Sequence, residues 1–232
     1  MKPVYGDAVI SAPCLLSVNL AVVRDNPFKE AARTGIDKQP TDRPVTVRAP
    51  GSKADGLGSG LVGDFIGDRR NHGGDDQAVY AYAVEDLRWW ADQLGTTLGA
   101  GQFGENLTTE ALAVNDARIG ERWKLGDDVE LQVSEPRIPC GTFRGWMNRP
   151  GWLKTFTAAA RPGAYLRVLA PGVVQSGDLV EITHVPAHDV TVALVFRALT
   201  TEPSLLPRIL ESPDLADETR EMAESGRTFH RG

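Results

Sequence analysis

The stretch Leu131–Phe143, LQVSEPRIPCGTF, sets Cys140 directly behind Pro139 and three residues past Arg137. Proline holds its own φ at about −65°, so the thiol leaves a stiffened backbone. Arg137 and Arg144 flank it with positive charge, which favours the thiolate. A thiolate is a nucleophile and a soft donor suited to a redox metal. Taken alone, the residue is more often an inert thiol at a strand end, because free cysteine packs as a small hydrophobe.

Two other stretches carry polar groups at turns. RRNHGGDDQAVY places Arg69, Arg70 and His72 before the pair Gly73-Gly74, with Asp75 and Asp76 after it. Paired glycines permit positive φ and close backbone approach. Their successive N–H groups can form an anion-binding nest, which adjacent arginines complement. A polar hairpin in which His72 caps a turn explains the same residues. GQFGENLTTEAL puts Glu105 and Asn106 in a tight turn ahead of Thr108 and Thr109, and turn or helix-cap chemistry accounts for it without a ligand. Gly58, Gly60 and Gly63 have the spacing of a dinucleotide loop, but the DFIGDRRNHGG that follows cannot be the helix such a loop opens. His184 and His188 have Pro186 between them and no second cysteine nearby, a poor zinc site.

Short strands must position these residues. The runs 14–23, 78–84, 118–126, 129–134, 164–172 and 177–185 are β-like and separated by turn signals such as GDD and APG, the pattern of a barrel or sandwich. One helix interrupts them: Leu87, Trp90, Ala91 and Leu94 fall on one face and Gly95 supplies a stop. Trp90 is expected in the core. Residues 49–64, rich in glycine, are expected to be an exposed loop. After Pro186 the pattern changes to three short helices, the last with Ser212 as N-cap and Pro213 at its first position. The expected organisation is therefore a β-barrel domain over 1–186 and a helical segment over 187–232, too short for its own core and so docked on the barrel or on a partner.

Composition limits the function. At 41% hydrophobic and 24% charged residues the chain is of ordinary globular type. A net charge of −6 argues against a binder of nucleic-acid phosphates. Two cysteines make no disulfide framework, so a reducing, cytoplasmic setting is expected. The apolar run Ala8–Val23 is interrupted by Pro13 and Asn19 and lacks a cleavage site before Arg24, unlike a secretory signal. No run approaches the roughly 18–20 apolar residues of a membrane span.

Taken together, HGGDDQAVYAY, GQFGENLTTEAL, IGERWKLGDDVELQVSEPRIPC and GAYLRVLAPGVVQSGD resemble, in order and spacing, the MOSC domain family in its stand-alone YiiM-like branch. The resemblance covers roughly residues 10 to 225 and rests on the HGG, FGENL and PRxPC signatures jointly. It implies a mainly β fold, a MOSC-like β-barrel with a peripheral helix and a small C-terminal three-helix appendage. It also implies a molybdenum cofactor of the molybdopterin type with Cys140 as the metal ligand. Arg69, Arg70 and Arg137 are the cations expected to balance the cofactor's charge; His72, Gly73, Gly74, Glu105 and Asn106 are expected to line its cleft. His72 or Glu105 would supply protons. The implied activity is reduction of small N-hydroxylated substrates, N-hydroxylaminopurines and amidoximes, to amines. An electron-donor reductase, or a second copy of the chain, is the expected partner of the appendage. Gly141-Thr142-Phe143 stands where related sequences carry a bulkier residue and often a lysine, and Ile66 where glutamine is frequent; both bear on substrate choice. A carrier of sulfur or cofactor without turnover, and a structural barrel with an inert cysteine, remain open beside the enzyme.

Overall fold

The computed structural model describes residues 12–229, so the start of the apolar N-terminal run lies outside the described residues. The strands are β1 (Cys14–Ala21), β2 (Arg24–Asp25), β3 (Arg33–Thr34), β4 (Lys38–Pro40), β5 (Val45–Val47), β6 (Val79–Ala83), β7 (Leu107–Glu110), β8 (Arg122–Leu125), β9 (Val129–Pro136), β10 (Ala164–Ala170), β11 (Gly172–Val174) and β12 (Val180–His184). An 8-stranded sheet runs β12-β8-β9-β10-β6-β7-β1-β4. A bridge between Cys14 and Leu179, with Val180 N–H donating to Pro13 O at 2.8 Å, brings β1 back to β12 and closes the barrel. Pairing is antiparallel except between β6 and β7.

The residues of β6, VYAYA, are buried throughout. The strand is central, with β10 on one side and β7 on the other, and its two faces feed different cores. Val79, Ala81 and Ala83 join the aliphatic interior, whereas Tyr80 and Tyr82 join an aromatic cluster with Trp90, Phe103, Phe143, Trp152 and Phe156. The helix α1 (Val84–Leu94) supplies Trp90 to that cluster and stops at Gly95, whose left-handed backbone lets its N–H reach Ala91 O and Asp92 O.

Three features depart from the sequence expectation. Two further helices, α2 (Gly141–Met147) and α3 (Trp152–Ala159), lie between β9 and β10. They are short, but their aromatic side chains plug the cluster just described. The glycine-rich 49–64 segment is only partly an exposed loop: Ser59, Gly60 and Leu61 are buried, and Leu61 bridges Val47. Beyond α4 (Val192–Thr200) and α5 (Leu206–Ile209), the last helix, α6 (Asp217–Glu224), begins later than expected. Ser212 does not cap it; its Oγ accepts from Asp214 N–H within the preceding turn, and Ala216 takes the cap position.

The C-terminal helices have no core of their own. Val195, Ala198, Leu199, Leu206, Ile209 and Ala223 belong to the same apolar cluster as the barrel's Leu131, Val133 and Leu166. The segment is thereby docked on the barrel, as its length requires. Among the described residues no helix is long and apolar enough to cross a membrane.

Candidate functional site

Where β9 ends, Arg137 turns inward and is only 5% exposed. Its guanidinium carbon lies 3.7 Å from the centroid of the Phe143 ring and 5.6 Å from that of Tyr80. Flat stacking of this kind holds a buried guanidinium, yet Nη1 has no hydrogen-bond partner among the described residues. An orphaned donor in the interior is costly, and Nη1 could meet an acceptor brought from outside the chain.

Cys140 follows in extended conformation, at the cap position of α2. Burial works against ionising this thiol. The hydrogen bond with His72, the positive charges of Arg137 and His72, and the amide of Phe143 outweigh it and bring the thiol down to about 5. Cys140 is therefore a thiolate at neutral pH. Cys14, in contrast, is raised by burial and by the carboxylates of Glu110 and Glu85. Both thiols are free.

Cys140 and His72 lie on the wall shared by two cavities. The first, about 100 Å³, is bounded by the Phe65–Gly73 loop, the turn before β7 and the start of α2. Its floor carries a buried ion pair, Lys38 with Asp64, whose side chains are 6% and 1% exposed. Asp64 also accepts from Ala21 N–H at 3.0 Å, Ser59 Oγ at 2.7 Å and Asn106 Nδ2 at 2.9 Å. With all these donors, the carboxyl stays below its ordinary range although burial alone would raise it.

Of the expected site residues, Cys140, His72, Gly73, Asn106 and Arg137 do line this cavity. The others do not. Arg69 turns away and donates to the carbonyls of Ala54 and Gly56, tying a loop. Arg70 is almost fully exposed beside Glu30. Proximity in sequence to a glycine pair does not decide which way a long side chain leaves the backbone. The other basic side chains on this lining are Lys38, neutralised by Asp64, and Arg33, paired with Asp25. Nor do the glycines form a free nest: Gly73 N–H donates to Gln77 Oε1 at 3.2 Å and Gly74 N–H to Gly58 O at 3.3 Å. Positive φ at both lets the chain double back on Gly58.

Glu105 is walled off. Its carboxylate accepts from Gly101 N–H at 2.6 Å, Phe103 N–H at 2.9 Å and Thr108 Oγ1 at 3.0 Å, which folds the turn around it. Burial nevertheless pushes it up to about 7, against those donors. It braces the loop that carries Asn106, whose Oδ1 accepts from Tyr80 N–H at 3.1 Å.

Four groups at the site were not singled out from sequence: Lys38, Asp64, Gln77 and Glu135. Lys38 and Asp64 are isolated charges in segments without a motif, and only the fold brings them together. Glu135 was in view inside SEPRIPC, and its place next to a strand-ending proline was the available signal.

Comparison with known proteins follows the same outline. The family profile described as MOSC domain matches residues 68–181. A Bacillus subtilis protein, uncharacterized protein YflK, is 31% identical over 169 residues, covering 72% of each chain. A Gibberella moniliformis protein named reductase is 30% identical over 205 residues, 86% of this chain; the chain spans only 35% of that protein's length. The crystal structure of YiiM from Geobacillus stearothermophilus superimposes with a TM-score of 0.73 at 26% identity, covering 92% of this chain and 98% of that one.

Proposed function

The chain belongs to the MOSC domain family, and we propose that it is a molybdenum-cofactor-dependent reductase that converts small N-hydroxylated molecules to the corresponding amines. The observation that carries this is the pairing of a Cys140 thiol held near 5 with an unpartnered, buried Arg137 nitrogen in one cavity. Those two groups fit a cofactor that offers a metal to the sulfur and an anionic acceptor to the guanidinium. Among the described residues no cluster of three or more His, Cys, Asp or Glu side chains could hold a bare ion. A metal that arrives with its own dithiolene ligands needs only one thiolate from the protein.

When bound, the cofactor supplies two-electron oxygen-acceptor chemistry. The net reaction takes R–NHOH, two electrons and two protons to R–NH2 and water, with the electrons drawn from an external donor reductase. The protein's own part is positional and electrostatic. Pro139 fixes the backbone ahead of the thiol. His72 and Arg137 lie beside Sγ and favour its ionised form. Lys38 and Asp64 neutralise each other and fix the shape of the first cavity's floor. The aromatic cluster of Phe103, Phe143, Trp152 and Phe156 closes the interior side against water.

The test is elemental analysis of protein expressed in a cofactor-competent host, with Cys140→Ala beside the wild type. Near-stoichiometric molybdenum that disappears in the variant, followed by N-hydroxylamine turnover in the wild type, is the expected result. Equal, negligible metal in both, from a host shown to load another molybdoenzyme, would replace this proposal with the carrier or inert-barrel reading.

A further inference from the structure

The wall that holds Cys140 and His72 has a second side. There, a cavity of about 160 Å³ opens between the end of β9 and the C-terminal helices, lined by Glu135, Ile138, Thr219, Met222 and Phe229 among others. One water takes about 10–15 Å³ on this measure, so the space admits a molecule of about ten heavy atoms. From α6 and the residues after it come two polar side chains, Glu218 and Thr219, and two apolar ones, Met222, a pliable thioether, and Phe229, a flat ring, both suited to an aromatic guest.

Glu135 faces the same cavity from the end of β9. Its Oε1 accepts from Gln77 Nε2 at 2.6 Å and its Oε2 from Thr219 Oγ1 at 3.2 Å, and each carboxylate oxygen can accept once more. The basic side chains nearby are committed to other acids: Lys29 to Asp68, Lys53 to Glu218 and Arg167 to Asp76. No ion pair to Glu135 forms among the described residues. Burial, and the neighbouring Asp76 carboxylate, push it up to about 7, against the donors Gln77 and Thr219 and the charge of Lys53. A carboxyl so placed gains from any guest that brings N–H donors to it.

We propose that this second cavity is the substrate subsite, and that Glu135 reads an N–H group beside the oxidised nitrogen. The proposal rests on the reductase reading for the identity of the reaction. The amino group of an amidoxime, or the N–C–N edge of an N-hydroxylated aminopurine, donates to the open lone pairs of Glu135. The ring lies against Met222 and Phe229, and the N–OH group is left toward the Cys140 end. Substrates without a second N–H leave Glu135 unsatisfied and are discriminated against. The C-terminal segment is thus a wall of the active site, and α6 sets specificity through Thr219 and Met222.

The closing experiment reads binding, not turnover, on the full chain purified without cofactor. Benzamidine, the amidine product of an amidoxime, is titrated calorimetrically beside benzyltrimethylammonium, which keeps the ring and the charge but has no N–H. The expected result is benzamidine binding at least about tenfold tighter than the control, the scale of a hydrogen bond to a charged group. Glu135→Gln should remove that advantage, Thr219→Val should reduce it, and Met222→Trp should abolish binding by filling the cavity. Thr219→Val keeps the test alive if Glu135→Gln fails to fold. No binding to the wild type, equal affinity for the two probes, or unchanged affinity in Met222→Trp overturns the proposal. A failed cofactor reading shows in the molybdenum analysis instead and leaves these titrations unaffected.

Discussion

Cys14 opens β1 and Cys140 caps α2 just past β9; both are half-buried, and they differ in what surrounds them. Around Cys14 the charges are acidic, from Glu110 and Glu85. At the Cys140 sulfur they are basic, from Arg137 and His72. Burial opposes ionisation at both sites, so it cannot be what separates them. The difference lies in which charges the fold encloses. The exposed arginines of the RRNHGG segment, though close in sequence to His72, contribute nothing to the cavity wall.

The largest expected effect comes from breaking the enclosed charge balance. Lys38→Met removes the cation from a pair whose side chains are 6% and 1% exposed and leaves Asp64 a buried, uncompensated carboxylate. Such a loss costs about 3–5 kcal/mol. Arg70→Ala, which removes an almost fully exposed partner of Glu30, should leave stability within experimental error. Chemical denaturation of the two variants checks this directly. A Lys38→Met chain as stable as the wild type would mean that Asp64 is satisfied by Ser59, Asn106 and the Ala21 amide alone.

Next in size is the reactivity of the two thiols in cofactor-free protein. Cys140, down at about 5, should alkylate at a rate that levels off above about pH 6, whereas Cys14 should still be gaining at pH 9. A lower pKa also makes a weaker nucleophile, with a slope of about 0.4–0.5 per unit. The expected advantage of Cys140 is therefore tens of times at pH 5.5, and it shrinks or reverses by pH 8. Arg137→Met should move the Cys140 plateau to higher pH, and Glu110→Gln should move the Cys14 limb to lower pH. Mass spectrometry of iodoacetamide-labelled peptides separates the two sites.

Much of the Cys140 side was legible in sequence. Pro139 before Cys140, Arg137 before both, and the HGG turn pointed to one place, and the fold brings them together because the end of β9 faces the turn before β6. Strands such as Val79–Ala83 and Ala164–Ala170 were legible from β-branched and aromatic runs between turn residues. The helices α2 and α3 were not, because at 7 and 8 residues they are too short for a helical period to stand out. Trp152 and Phe156 on one helical face, after Arg149-Pro150-Gly151, were the available hint. The Lys38–Asp64 pair and the cavity under α6 join segments far apart in the chain, and no local pattern encodes them. Glu105 shows the converse error: a carboxylate in a recognised motif whose work is to fold its own turn.

The smallest effect tests whether the enclosed carboxyls on the Cys140 side govern the response of the fold to pH. Glu105 and Glu135 both stand at about 7 in the folded chain, above the ordinary 4.5 for glutamate. The folded state therefore holds more protons than the unfolded one between those values, and stability falls as pH rises through that window. Asp64 and Asp68 are held below their ordinary range, and the stability they contribute is lost as pH falls past about 4. The two trends together place the maximum at about pH 4–4.5. Between pH 8 and pH 5 the chain should therefore gain stability, read as a rise in Tm. Glu135→Gln should flatten part of that slope. If the variant keeps the full slope, Glu135 is ionised in the folded protein, and it then meets its substrate as a full carboxylate acceptor at every pH where the enzyme works. If the slope flattens, Glu135 is shared between carboxyl and carboxylate near neutrality, and affinity for an N–H donor such as benzamidine should rise with pH from 6 to 8 in the wild type alone.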